Sequence, residues 1–180
     1  MYHLSYKALL QKRPLTIPYS VDRKVHRSMA SVLESIYEPI FLPVSFGFRK
    51  WSSTHLLFQE IQSWQGIKRV VHADVLRCFD TVRHKLVLDL LSEQIDDPFF
   101  LDLVHRFLTT PIETANGTDF TNTEVGIVQG AVLSPALMSI IIHPLDLFAT
   151  ELCKRGGTYY GRYCDDISIG TKGNNDAAAH

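Results

Sequence analysis

Arg162-Tyr163-Cys164-Asp165-Asp166-Ile167-Ser168-Ile169-Gly170 sets two adjacent carboxylates between short segments of alternating apolar character. The alternation predicts two strands, over residues 158–164 and 167–171, with Asp165-Asp166 at the turn joining them. Two carboxylates about 4 Å apart repel by roughly 1 kcal/mol in water and about 4 kcal/mol at a protein-like dielectric, so a pair held in a turn needs cations nearby. Mg2+ suits such a place, because it takes hard oxygen ligands and keeps part of its hydration, without need of His or Cys. Taken alone, the pair is equally at home as plain turn residues, since Asp bonds readily to its own backbone. A third acid extends the scheme. Asp74 ends Ile67-Lys68-Arg69-Val70-Val71-His72-Ala73, which reads as a buried strand. A strand end lets a side chain reach solvent while its backbone stays fixed, and three such acids fit two-metal phosphoryl chemistry.

Working outward, residues 12–18 read as an extended segment punctuated by Pro14 and Pro18. Val21, Val25, Met29, Val32, Leu33 and Ile36 recur at helical spacing, with Ser20 as N-cap and Pro39 as the stop. Residues 41–49 are too aromatic for a solvent loop and too broken by Pro43 and Gly47 for a helix, which predicts a packed loop. A second helix is expected from Ser52 or Ser53, carrying Leu56, Leu57, Phe58, Ile61 and Trp64 and closing at Gly66. Beyond Asp74, Leu86, Val87, Leu90, Leu91 and Ile95 mark a helix, and Asp97-Pro98 opens another with a cap followed by proline. Asn116-Gly117 reads as a hairpin tip. Ser134-Pro135 repeats the cap-then-proline start of a helix that meets Pro144 as a kink or break and ends at Gly156-Gly157. His55, His72, His84, His105 and His143 share no metal-binding spacing and read as structural. The pattern is that of an α/β (α+β) chain with no internal repeat.

At 180 residues the chain fits one domain, with or without an appended subdomain. An apolar fraction of 46% and a charged fraction of 21% are ordinary for a globular protein. No uninterrupted apolar stretch reaches the roughly 20 residues needed to cross a bilayer, so no membrane partner is expected. The opening residues lack the pattern of a secretory signal, which makes a reducing, intracellular compartment the default. Cys78, Cys153 and Cys164 are odd in number and lack metal-ligand spacing, and free thiols are expected. The net charge of −1 conceals a basic end. Before Ser28 stand Lys7, Lys12, Arg13, Arg23, Lys24 and Arg27 against the single acid Asp22. That segment is either a grip for phosphates or a solvated helix face.

The order of motifs resembles the reverse transcriptases encoded by group II introns. Arg13-Pro14-Leu15-Thr16-Ile17-Pro18, Leu33 through Phe41 and Ser45-Phe46-Gly47-Phe48-Arg49 come first. Ala73-Asp74-Val75-Leu76-Arg77-Cys78-Phe79-Asp80 is similar to that family's first catalytic aspartate motif, and residues 126–135, Gly126 to Pro135, to its nucleotide-pocket motif. Tyr163-Cys164-Asp165-Asp166 is similar to its second aspartate motif. The resemblance runs from about Lys12 to Gly170. It implies a right-hand polymerase with a fingers-like segment at 1–66, a palm-like segment at 67–173 built on a small antiparallel sheet backed by helices, and a disordered tail at 174–180. It implies Asp74, Asp165 and Asp166 as catalytic ligands of two Mg2+ ions, with Asp80 in a supporting place. It also implies a nucleotide site in which Arg13 reaches the triphosphate, Phe79 stacks beneath the sugar, and Gln129 and Gly130 admit the base and template. On residue type alone, Phe79 reads equally as core and Arg13 as a surface arginine.

The implied activity is RNA-directed DNA synthesis in intron mobility, with RNA template, DNA primer, deoxynucleoside triphosphates and intron RNA as partners, in a bacterial cytoplasm or an organelle (mitochondrion or plastid). Cys164 stands where that family has alanine, Val128 where it has proline, and Ser139 where asparagine is commoner. The similarity stops just past the second aspartate motif, before the thumb and maturase regions. Apolar palm surface is therefore expected to be exposed, or paired with a second copy or a separate C-terminal polypeptide. Two other readings go with these features: a maturase-like RNA-binding splicing factor without catalysis, and an inactive remnant.

Overall fold

The computed structural model describes residues 18–114, 117–119 and 124–173. Arg13, the segment 12–17, Asn116 at the expected hairpin tip and the tail 174–180 lie outside the described residues.

Helix α1 spans Ser20–Tyr37 and buries Met29, Ala30, Leu33 and Tyr37. Val21, Val25 and Val32 are exposed, so only part of the expected apolar stripe is covered. Ser20 is the first helical residue and not the cap, which is Tyr19 and contributes no side-chain cap bond. The loop after Pro39 is packed as expected, because Arg49 clamps it from within. Its guanidinium donates to the carbonyls of Leu42 and Ser45 at 2.8 and 3.1 Å and pairs with Glu38 at 2.8 Å.

Helix α2, Thr54–Ser63, starts at Ser53, whose hydroxyl accepts from the Leu56 amide. It buries only Leu57, while Leu56 and Phe58 face outward. Strand β1, Arg69–Asp74, leads to the short helix α3, Cys78–Thr81, and then to α4, His84–Ser92, and α5, Pro98–Leu108. The Asp97-Pro98 start of α5 holds as expected, with Asp97 accepting from the amides of Phe99 and Phe100. Strands β2, Ile112–Thr114, and β3, Gly117–Asp119, pair antiparallel with Thr114 opposite Gly117, so Gly117, expected at the hairpin tip, is instead the first residue of β3.

Helix α6 runs continuously from Ser134 to Lys154 with Pro144 inside it, so of the kink or break expected there the break does not occur. Leu133 holds the cap position. Ser134 is the first helical residue, and its hydroxyl donates to the carbonyl of Val128 instead. By length and composition α6 is the one helix among the described residues apolar enough to cross a membrane, more so than the sequence runs indicated. Here it is the central core helix, with Leu137, Met138, Ile140 and Ile142 packed against Leu33, Val87, Leu91 and Val104.

Strands β4, Thr158–Tyr163, and β5, Asp166–Thr171, follow, and the sheet order is β1-β5-β4, antiparallel throughout. Helix α2 and Trp64 cover one face: Trp64 stacks on Tyr159 at 5.5 Å and lies over Gly170, where a Cβ would meet its ring at 2.6 Å. Helix α6 covers the other through Asp146, which holds Tyr160 and Arg162. Both helices pack against β4, so β1 is left as an open edge, exposed at every residue. The expectation of a buried strand there is wrong for that reason: an apolar run such as Val70-Val71 shows strand character but not which side of the sheet is covered.

Candidate functional site

Antiparallel pairing places Asp74, the last residue of β1, directly opposite Asp166, the first residue of β5. Directly opposed residues project to the same face, so both carboxylates leave the sheet together. Tyr163 pairs with Asp166 on the other side, which leaves Cys164 and Asp165 as a two-residue turn. Asp166 therefore opens β5, and the turn carries Asp165 alone of the two acids.

Asp166 senses the other two acids. Burial, then the charges of Asp165 and Asp74, raise the pKa of Asp166 above the ordinary carboxylate value, with His72 opposing. Among the described residues no three His, Cys, Asp or Glu side chains stand gathered as a ready-made metal cluster. Like charges held at one sheet end keep apart, and closing them on a common point takes a cation. The donor chemistry fits a hard ion. The Cys78 thiol is pushed up to about 11 by burial and by Asp165 and Asp74. Burial and Asp165 likewise push the Cys164 thiol up to about 11. Neither supplies thiolate near neutral pH, which leaves the three carboxylates as the hard oxygen donors, beside the His72 imidazole whose Nδ1 is engaged by Ser168.

The turn itself is strained and braced. Cys164 has φ 56, in the left-handed region that disfavours residues with a Cβ. Arg162 donates to its carbonyl at 2.5 Å, and Gly47 packs against it so closely that a Cβ there would run into the Cys164 nitrogen. The obstacle is backbone and cannot rotate away. Gly47→Ala is therefore expected to displace the turn and cost about 1–3 kcal/mol, read as a lower urea midpoint. An unchanged midpoint would show that the loop has slack.

Of the residues expected at a nucleotide site, Arg13 lies outside the described residues, and the segments that carry Phe79, Gln129 and Gly130 are tied together. The amides of Gly126 and Ile127 donate to the carbonyls of Val82 and Phe79, both at 2.7 Å, tying the segment after β1 to the loop before α6. Asp80, expected in a supporting place, accepts from Gln129 Nε2 at 3.0 Å and from Arg77 at 3.2 Å. Phe79 is half-buried and packs against the core, Gln129 is half-buried and Gly130 is exposed with φ 100. His84, expected to be structural, is buried and shares a 2.7 Å hydrogen bond with the Gly126 carbonyl. All three cysteines are free.

Two features escaped the sequence. One is the fully buried ion pair of Arg162 with Asp146, joined by Tyr160 and Ser45. An acid inside the apolar run 137–148 was its only signal. The other is a cavity of about 510 Å³ lined by Ser20, Arg23, Lys24, Arg27 and Val132. It brings the basic side of α1 to within two residues of Gly130, and none of its three cations has an ion-pair partner among the described residues.

The chain is 33% identical over 151 residues to the group II intron-encoded protein LtrA of Lactococcus lactis, covering 83% of this chain and 25% of that protein. It is 37% identical over 147 residues to an uncharacterized 91 kDa protein in a cob intron of Schizosaccharomyces pombe, covering 81% of this chain and 18% of that one. The chain thus spans a quarter or less of the length of these relatives. An apo telomerase from Candida tropicalis, truncated from its C-terminal domain, superposes with a TM-score of 0.61 at 14% identity, over 86% of this chain and 35% of that one. That likeness is one of fold, the fingers and palm of a right-hand polymerase. Residues 7–180 match the reverse transcriptase (RNA-dependent DNA polymerase) family, and the chain belongs to that family.

Proposed function

We propose that this chain is the fingers and palm of a group II intron-encoded reverse transcriptase and that Asp74, Asp165 and Asp166 are its catalytic carboxylates. The observation that carries the reading is the register of Asp74 on Asp166, with Asp165 in the adjoining turn and its charge felt at Asp166. Members of this family use Mg2+, and two ions held by these acids would activate a primer 3′-hydroxyl and neutralise an incoming triphosphate. Residues 1–66 then act as fingers and 67–173 as palm.

The chain's own residues supply the rest. Asp80 holds Gln129, which keeps the loop at Gly130 open for a nucleotide base and template backbone. Phe79 stands on the preceding segment, where an aromatic ring can support the sugar and crowd a 2′-hydroxyl. Arg13 would bond triphosphate oxygens, as a planar, permanently charged fork does well. Arg23, Lys24 and Arg27 offer phosphate contacts to an RNA template beside that loop.

Extension of a DNA primer on an RNA template with Mg2+ tests the reading, with RNA affinity followed against salt. DNA product is the expected result. Replacing Arg23, Lys24 and Arg27 together by Ala should lower the salt slope of RNA binding by about 2, as loss of three single-strand phosphate contacts requires. RNA binding without any extension would favour a maturase-like scaffold, and absence of both would favour a remnant.

A further inference from the structure

The side chain of Arg162 is fully buried, and a buried ion pair is often no more stabilising than apolar residues of similar volume. Folding alone gives little reason for a charge there. Its contacts give another. Nε and Nη2 pair with Asp146 on α6 at 2.7 and 2.5 Å, Nη2 also reaches Ser45 Oγ at 2.8 Å, and Nη1 donates to the Cys164 carbonyl at 2.5 Å. The Arg162 main chain is held as well, donating to Val44 and accepting from Phe46.

The carbonyl of Cys164 belongs to the peptide plane that ends at the nitrogen and Cα of Asp165. Because that plane is rigid, fixing its oxygen fixes where Asp165 starts. The plane also follows a residue in the left-handed region, a conformation that persists only when its surroundings enforce it. Gly47 packs closely against Cys164, and the guanidinium holds its carbonyl.

We propose that Arg162, anchored by Asp146, is a positioning residue that sets the Asp165 peptide for cation binding. The inference rests on the function proposed above. Its geometry also links the acid turn to α6, the helix whose start adjoins Gln129 and Gly130, so that the two halves of the site share one rigid support.

Two variants test it: Arg162→Lys, which keeps charge opposite Asp146 but not the forked donor, and the double change Arg162→Met with Asp146→Leu, which removes both charges. The readouts are thermal melting, Mn2+ binding by loss of the free-ion electron paramagnetic resonance signal, and kcat and KM for a deoxynucleotide. Both variants should melt cooperatively, with KM near that of the parent. Mn2+ affinity should fall about 10- to 100-fold, as when an outer-shell partner of a metal site is lost. The kcat should fall about 100-fold, the cost of misplacing a reacting group by about 1 Å. A folded variant with parental Mn2+ affinity and kcat overturns the proposal, as does unfolding of both, which would make the role structural. A parent chain that neither binds Mn2+ nor extends a primer would sink the proposed function itself, and this inference with it. A parent that binds Mn2+ without extending still decides the matter through the affinities.

Discussion

Asp165→Asn is expected to lower primer extension on the order of 1,000-fold, the scale seen when a preorganised electrostatic contact to the transition state is removed. The substitution is nearly isosteric and touches little else. Asp165 is half-exposed in a two-residue turn and makes no hydrogen bond or ion pair among the described residues. What it does contribute is charge, felt at Asp166, at Cys78 and at Cys164. Removing that charge relieves repulsion in a site where burial and like charge already disfavour ionised Asp166.

Stability should therefore stay within about 0.5 kcal/mol of the parent or rise slightly, while activity collapses. Asp74→Asn should behave alike, since it faces Asp166 from the other strand. The opposite signs are the useful part. A residue kept for folding loses both quantities together, whereas a carboxylate kept for cations trades one for the other. Single-turnover extension and urea titration on the same preparations decide it, and an Asp165→Asn chain retaining more than about a tenth of parental extension would remove Asp165 from the catalytic set.

Much of this site was legible because its elements announce themselves locally. Alternation of Ile167 and Ile169 with small residues fixes a strand and Asp97-Pro98 fixes a helix start, both without tertiary information, although Asp166, expected in the turn, is the strand's first residue. The failures share a cause. Val70-Val71 reads the same on a covered strand and on an open edge, and the difference lies in where α2 and α6 pack. Val21 and Val25 repeat at helical spacing yet stand exposed on α1. Ser20 and Ser134 have the chemistry of caps, but each became the first residue of its helix, and Ser134 turns its hydroxyl to Val128. Gly47 gave no local reason for being glycine. Its reason is Cys164, far along the chain. Likewise Asp146 and Arg162 explain each other only once α6 lies across β4.

That last pair carries the largest expected effect on stability. Asp146→Ala should destabilise the fold by about 3–5 kcal/mol, because it leaves a guanidinium buried without its counter-charge. The loss is not confined to one bond. Tyr160 Oη donates to the same carboxylate at 2.7 Å, so its hydroxyl is stranded beside the unpaired cation. Burial and Asp146 together already push the Tyr160 pKa upward, and Asp146 pulls that of Arg162 upward against desolvation. For a chain of this size the change corresponds to a melting shift of roughly 6–20 °C. Asp146→Asn preserves the shape and one acceptor and should cost less. The paired change Arg162→Met with Asp146→Leu leaves no charge to desolvate and should recover most of the loss. A ranking in which the single alanine change is worst and the doubly apolar chain nearly parental would separate the energy of folding from the purpose of the pair. The apolar chain would then be stable with its acid turn unanchored. If Asp146→Ala instead costs under about 1 kcal/mol by urea titration, water must reach Arg162, and the rigid link between α6 and the acid turn fails with it.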